Sequence, residues 1–276
     1  MLVQLQSILP QQLLTKSFGY LANSTNPLIS NYLKTWIVNK YKVDLSIAKH
    51  PNIKDYASLQ DLFTREIDLK HRDKIINDNS IISPADSCIS QVGKINNNTL
   101  VQAKGFKFTT ESLLNNSKYA DMFTNGSYAT LYLAPHDYHR VHMPTAGKLI
   151  HQNFIPGKLF SVNNYTANNV NNLFARNERL CCIFETKYGL MAQVMVGAMI
   201  VGSILTVWGG NSHTQQPITP CDFNDGPQLD KGEHMGTFAF GSTVITLFQN
   251  SKMSWNKDLR IGQKLKVLQA MGKADI

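Results

Sequence analysis

Cysteine is scarce: Cys88, Cys181, Cys182 and Cys221 are the only four in 276 residues, and no two are spaced as C-x-x-C. That excludes a disulfide framework and the usual thiolate zinc motifs, and it points to a reducing compartment. Charge is also sparse, at 17% of residues, and the acidic side is the poorer one, with 19 Asp+Glu against 27 Lys+Arg. The resulting +8 favours anionic partners, whether nucleic acid, an acidic lipid surface or an acidic substrate. No charge precedes Lys16, so the start lacks the basic stretch of a secretory signal. No fixed period recurs, which sets repeat architectures aside. With 43% apolar residues, 17 Gly and 10 Pro, the chain can bury a core of one large or two small domains.

The first ~66 residues read as helical. Asn26-Pro27 is an N-cap followed by proline at the first helical position. Leu28, Ile29, Tyr32, Leu33, Trp36 and Ile37 then recur at one-face helical spacing, with Lys34, Lys40 and Lys42 on or near the other side. Such a helix over residues 28–41 either packs on the protein's own core or lies in a membrane interface. Ser58 and Asp61 form a capping box ahead of Leu62 and Phe63. From Ile81 onward short β-type runs take over, among them Tyr128–Leu133, Gly147–Ile150 and Cys181–Phe184. The pattern predicts an α+β protein: N-terminal amphipathic helices (residues 1–70) followed by a β-rich, mainly antiparallel domain (71–276), with the boundary in the polar segment between about 65 and 80. Leu190–Trp208 carries no charge over 19 residues, close to the length that spans a bilayer. Its Gln193, Ser203, Thr206 and two interior glycines also fit two buried strands broken near Gly197 or Gly202.

Three features carry chemistry. His136, His139 and His142 stand at spacing three beside Asp137 and Arg140. On a strand His136 and His142 share a face that His139 does not, which argues against a three-histidine metal site and leaves structural or acid–base roles. Gly241-Ser242-Thr243 lies inside an apolar run, where a Gly-Ser pair is ordinarily a turn or bulge. Asp86 closes the tight turn Ser83-Pro-Ala-Asp86. Together, Asp86, a histidine and Ser242 could form a triad, though no G-x-S-x-G is present.

These segments together resemble one family. Ser83-Pro-Ala-Asp86, Ala134 to Pro144, Leu173 to Leu180, the Gly197/Gly202 segment, Lys231 to Gly236, and Phe240-Gly-Ser-Thr243 are similar, in order, to phosphatidylserine decarboxylase proenzymes. The resemblance covers roughly residues 55 to 270 and reads Leu190–Trp208 as core strands. Two positions depart: Phe240 where some members carry leucine, and His234 where an acidic residue is common.

The resemblance implies self-cleavage between Gly241 and Ser242 into chains 1–241 and 242–276. In it His142 removes the Ser242 proton and Asp86 orients the imidazole. An N-to-O acyl shift and β-elimination would then leave a pyruvoyl group derived from Ser242 at the new N-terminus. That group would form a Schiff base with the serine amine of phosphatidylserine and accept the electrons released with carbon dioxide. His139 is the candidate for handling substrate or proton in this second reaction. No metal or dissociable cofactor and no nucleic acid is expected. The implied partners are phosphatidylserine, an anionic membrane surface on the cytoplasmic face of the cell membrane, bound peripherally through residues 28–41, and a second copy in a homodimer. Alternatives are a Ser-His-Asp lipid hydrolase using intact Ser242, a pyruvoyl decarboxylase of a soluble amino acid, and a non-enzymatic membrane-binding β-domain.

Overall fold

The computed structural model describes residues 6, 9–72, 77–103, 105–199, 204–209, 220–239, 241–249 and 253–274. The expected α+β arrangement is present, with helices first and antiparallel strands after them. Helix α1 (Gln11–Ala22) and helix α2 (Pro27–Tyr41) precede the short α3 (Leu59–Phe63). Asn26 caps α2, its side chain accepting from the Leu28 N–H at 3.0 Å, and Pro27 takes the first turn, where a missing N–H costs nothing. Ser58 caps α3 by accepting from the Asp61 N–H, while Asp61 reaches back to the Ala57 N–H rather than to that of Ser58.

Among the described residues nine strands build the main sheet, all of whose pairings are antiparallel. Its principal members are β1 (Ser87–Lys94), β2 (Ser127–Leu133), β4 (Gly147–Ile155), β5 (Arg179–Thr186), β6 (Gly189–Val196) and β9 (Ser242–Phe248). A second sheet has β8 (His234–Phe238) between β3 (Arg140–His142) and β7 (Ile204–Thr206). The charge-free segment Leu190–Trp208 thus supplies strands β6 and β7, and Gly197 ends β6 where a Cβ would press on the Glu178 side chain at 3.1 Å. Gly202, the other expected break, lies outside the described residues. No helix among the described residues is long and apolar enough to cross a membrane.

β9 runs between β6 and β2, and every one of its residues is buried. That explains a near-continuous apolar run in place of alternation. Ala22, Ile37, Leu59 and Phe63 join β-strand residues in one hydrophobic cluster, so the N-terminal helices close one side of the sheet's core.

The face that α2 presents differs from the sequence expectation. Ser30, Lys34 and Ile37 point inward, whereas Leu28 (84% exposed), Tyr32 (70%) and Trp36 (42%) point outward together with Ile29. Ile37 therefore leaves the outward stripe, and Lys34 leaves the polar side. The reason is local. Ser30 is small enough to approach residue 57, where its hydroxyl donates to the Ala57 carbonyl at 2.8 Å, and the Lys34 ammonium donates to the Tyr56 carbonyl. The Tyr56 carbonyl, buried at this contact, is thereby satisfied.

Candidate active site

Strand pairing brings the quoted motifs together. In the second sheet His142 stands opposite His234, with ring centroids 5.6 Å apart. The His142 N–H donates to the Pro84 carbonyl at 2.8 Å, which ties β3 to the turn ending at Asp86. The chain leaves β8 at Phe238 and begins β9 at Ser242, so Gly241-Ser242 lies at the crossing between the two sheets. Helix α3 holds that crossing, the Gln60 amide donating to the Ala239 carbonyl at 3.3 Å. Phe240 lies outside the described residues.

The His142 tautomer follows from its neighbours. Nδ1 is 2.8 Å from the Gly232 carbonyl, which can only accept, so Nδ1 carries the proton. Nε2 lies 3.1 Å from the Tyr138 hydroxyl and accepts from it. Gly232 adopts φ +80°, a conformation open to glycine, and this turns its carbonyl toward the ring. Burial lowers the His142 pKa to about 4, with the His234 and Arg140 charges adding to the effect and Asp86 opposing it. The ring is therefore neutral at pH 7 and can accept a proton at Nε2.

Asp86 is buried and does not hydrogen-bond His142. Its Oδ2 takes a 2.6 Å contact from Arg72 Nη2 and a 3.4 Å contact from Lys266 Nζ, and its Oδ1 accepts from the Val267 N–H at 2.8 Å. Of the three triad candidates, the structure thus joins Asp86 and His142 through backbone, while their side chains face different partners. Ser242 is fully buried, and its hydroxyl has no hydrogen-bond partner among the described residues. It stands opposite Leu133 on β2, and the Cβ direction of Gly241 points at the Leu133 carbonyl (3.5 Å) and the Pro135 ring (4.0 Å).

His139 approaches the same corner. It is fully buried, tilted against Phe63 with ring centroids 5.1 Å apart, and near the Ala134 and Pro135 carbonyls. Burial, aided by Arg65, lowers its pKa to about 3, so it too is neutral. His136 pairs instead with Asp137 at 3.6 Å toward solvent, and no group of three or more metal-ligating side chains gathers among the described residues. Sequence reasoning missed Tyr138, Gly232, Arg72 and Lys266. Tyr138 and Gly232 sit inside quoted motifs, but Arg72 and Lys266 carry no local signal.

A cavity of about 360 Å³ opens beside the crossing. Gly241, Tyr132 and Pro135 line its inner end, and Phe18, Trp36 and Tyr41 bring helices α1 and α2 to its wall. Trp36 of the outward stripe of α2 and Gly241 therefore border one space with a mostly apolar lining.

Comparison with known proteins gives the same grouping. The family model described as phosphatidylserine decarboxylase matches residues 59–273, and a second, described as PSD, matches residues 2–42. The phosphatidylserine decarboxylase proenzyme of Vibrio vulnificus is 44% identical over 268 residues, covering 95% of this chain and 94% of its own length. The proenzyme of the same name from Acinetobacter baumannii is 42% identical over 272 residues, covering 98% of this chain and 95% of its own length. With a family match over residues 59–273 and relatives similar over nearly the full length, the chain belongs to the phosphatidylserine decarboxylase family.

Proposed function

We propose that the chain cuts itself between Gly241 and Ser242 and that the product decarboxylates phosphatidylserine to phosphatidylethanolamine and carbon dioxide. The observation that carries this reading is the buried Ser242 hydroxyl at the head of β9, unpartnered among the described residues and next to Gly241, which lines a cavity that Trp36 of α2 also lines. A serine left without a hydrogen bond in a core costs stability, and a reactive site is one place where such a cost is kept.

In the first reaction Nε2 of His142 exchanges the Tyr138 hydroxyl for that of Ser242 and takes its proton. Ser242 Oγ attacks the Gly241 carbonyl carbon, the peptide C–N bond breaks, and the nitrogen takes the proton back, leaving an ester. Loss of the Ser242 Cα proton then breaks the Cβ–Oγ bond, and Gly241 departs as a carboxylate. One water replaces the nitrogen, ammonia leaves, and a pyruvoyl group remains on residue 242. Asp86, held by Arg72, Lys266 and the Val267 N–H, keeps a negative charge near the imidazole as it becomes cationic. In the second reaction the pyruvoyl carbonyls supply an electron sink for the pair released with carbon dioxide. His139, neutral and near the Ala134 and Pro135 backbone, is the group proposed to hold or move the proton there.

The division into a membrane-associating region (residues 1–70) and a catalytic domain (71–276) is proposed on the same footing, with peripheral attachment through the outward residues of α1 and α2. Leu13, Leu14, Tyr20, Leu21, Leu28 and Tyr32 are exposed there in number beyond scattered surface apolars. The test is the intact mass of purified protein with a phosphatidylserine decarboxylation assay. The reading expects chains 1–241 and 242–276, and an uncut, inactive Ser242→Ala variant. An intact chain that labels with fluorophosphonate would favour a serine hydrolase instead.

A further inference from the structure

A second opening, distinct from the cavity at Gly241, lies at the other side of α1. It is a groove of about 720 Å³ lined by Leu9 to Leu13, Lys16, Gly157, Lys158 and Arg176. Three cations line it and no carboxylate does. Lys16, Lys158 and Arg176 are all exposed, and none forms a salt bridge among the described residues. The groove is built rather than incidental. The Lys158 N–H donates to the Arg176 carbonyl at 2.8 Å, which sets those two residues side by side. The Arg176 guanidinium rests over the Phe160 ring at 5.0 Å. Gln11, buried, accepts from the Leu159 N–H at 2.8 Å and fastens the start of α1 to the same loop. Gly157 forms part of the lining, where a Cβ would meet the Arg176 carbonyl at 2.5 Å. The first turn of α1 has neither an acidic residue nor a side-chain cap, so its positive end adds to the field.

The groove's rim is apolar. Leu13, 63% exposed, lines it, and Leu14 stands beside it on the exposed side of α1. Cations in a recess with exposed leucines at the edge match a phosphodiester whose acyl chains continue past the protein. We infer that this groove binds the phosphate of an anionic phospholipid that is not undergoing reaction, a docking lipid separate from the substrate. The inference rests on the peripheral membrane attachment proposed above. It adds orientation to it: Phe18 of α1 and Ser161 of the same loop line the cavity at Gly241, so a lipid held at Lys16, Lys158 and Arg176 fixes that cavity's mouth relative to the bilayer.

The test is co-sedimentation of the full chain with vesicles of phosphatidylcholine, with and without phosphatidylglycerol. The variant Lys16→Gln/Lys158→Gln/Arg176→Gln is compared with Lys257→Gln/Arg260→Gln/Lys273→Gln, which loses the same charge from exposed positions elsewhere. The groove variant is expected to lose at least ~10-fold in phosphatidylglycerol-dependent binding while the control loses far less. Self-cleavage and decarboxylation of phosphatidylserine in detergent micelles should be unchanged in both. Equal losses in the two variants would reduce the effect to net charge and overturn the inference, as would no loss in either. Displacement by inorganic phosphate, at an ionic strength where chloride does nothing, would reassign the groove to a free anion. Wild-type protein that binds both vesicle types equally would overturn the docking lipid but leave membrane attachment standing. Wild-type protein that binds neither would end the attachment reading itself.

Discussion

A histidine that takes a proton from serine must be neutral at working pH, and burial secures this for His142. With a folded pKa of about 4, the proposed base is ready well below the pH at which an exposed imidazole would be half protonated. Self-cleavage should therefore hold its rate from pH 7 down to pH ~5 and fall only toward pH 4, followed by band intensities on a gel. An acid limb centred near pH 6.5 would mean a hydrated ring. The same burial has a stability consequence. Above the unfolded pKa of 6.5 neither state binds the proton. As pH falls below it, the unfolded chain charges His142 and His139 while the fold keeps them neutral, so stability declines toward about pH 4 for His142 and about pH 3 for His139. Each contributes a slope of up to about 1.4 kcal/mol per pH unit. Urea midpoints of the uncleavable Ser242→Ala protein should follow that decline, and His139→Asn should flatten it. The Arg72–Asp86 pair is a separate matter: both side chains are nearly buried, so Arg72→Met should cost about 3 kcal/mol in the same titration by leaving a carboxylate half compensated. Arg72→Met with Asp86→Leu should recover part of it.

At the level of elements, α2 separates two kinds of apolar residue that the helical period alone groups together. Ile37, 5% exposed, belongs to the core, so Ile37→Ala should cost about 2–4 kcal/mol in urea unfolding. Tyr32→Glu with Trp36→Glu should cost less stability than Ile37→Ala, because both side chains are exposed in part, and reduce vesicle binding at least ~10-fold, read by co-sedimentation. The cap at Asn26 and the strand runs Tyr128–Leu133 and Cys181–Phe184 were legible in the sequence because each depends on neighbouring residues. The inward side of α2 was not, since Ser30 and Lys34 are drawn in by carbonyls at residues 56 and 57, more than 20 positions away. Asp86 was legible as a turn residue, but its partners were not. Arg72 is 14 residues off, and Lys266 and Val267 meet it only after the chain has crossed the whole sheet.

Across the whole molecule, the proposed cut divides the sequence but scarcely divides the fold. Residues 242–276 supply β9 in the middle of the main sheet, Lys264–Leu265 at its edge, and Met253–Trp255 and Ala270–Ala274 in a third sheet with Ser80–Ile82. The two chains should therefore migrate as one species in gel filtration after maturation and part only in denaturant. Separation under native conditions would argue that β9 had left the sheet.

On the proposed reading, the head of β9 would also set the working life of the catalyst. An enzyme with a diffusible cofactor can discard a spoiled molecule and bind a fresh one. Here the reactive group would be the first residue of a strand flanked on both sides and buried along its length, made once from the chain's own backbone. A group reduced or trapped by a stray amine could be replaced only by synthesising a new polypeptide, so each molecule would carry a finite, unrenewable allotment of turnovers.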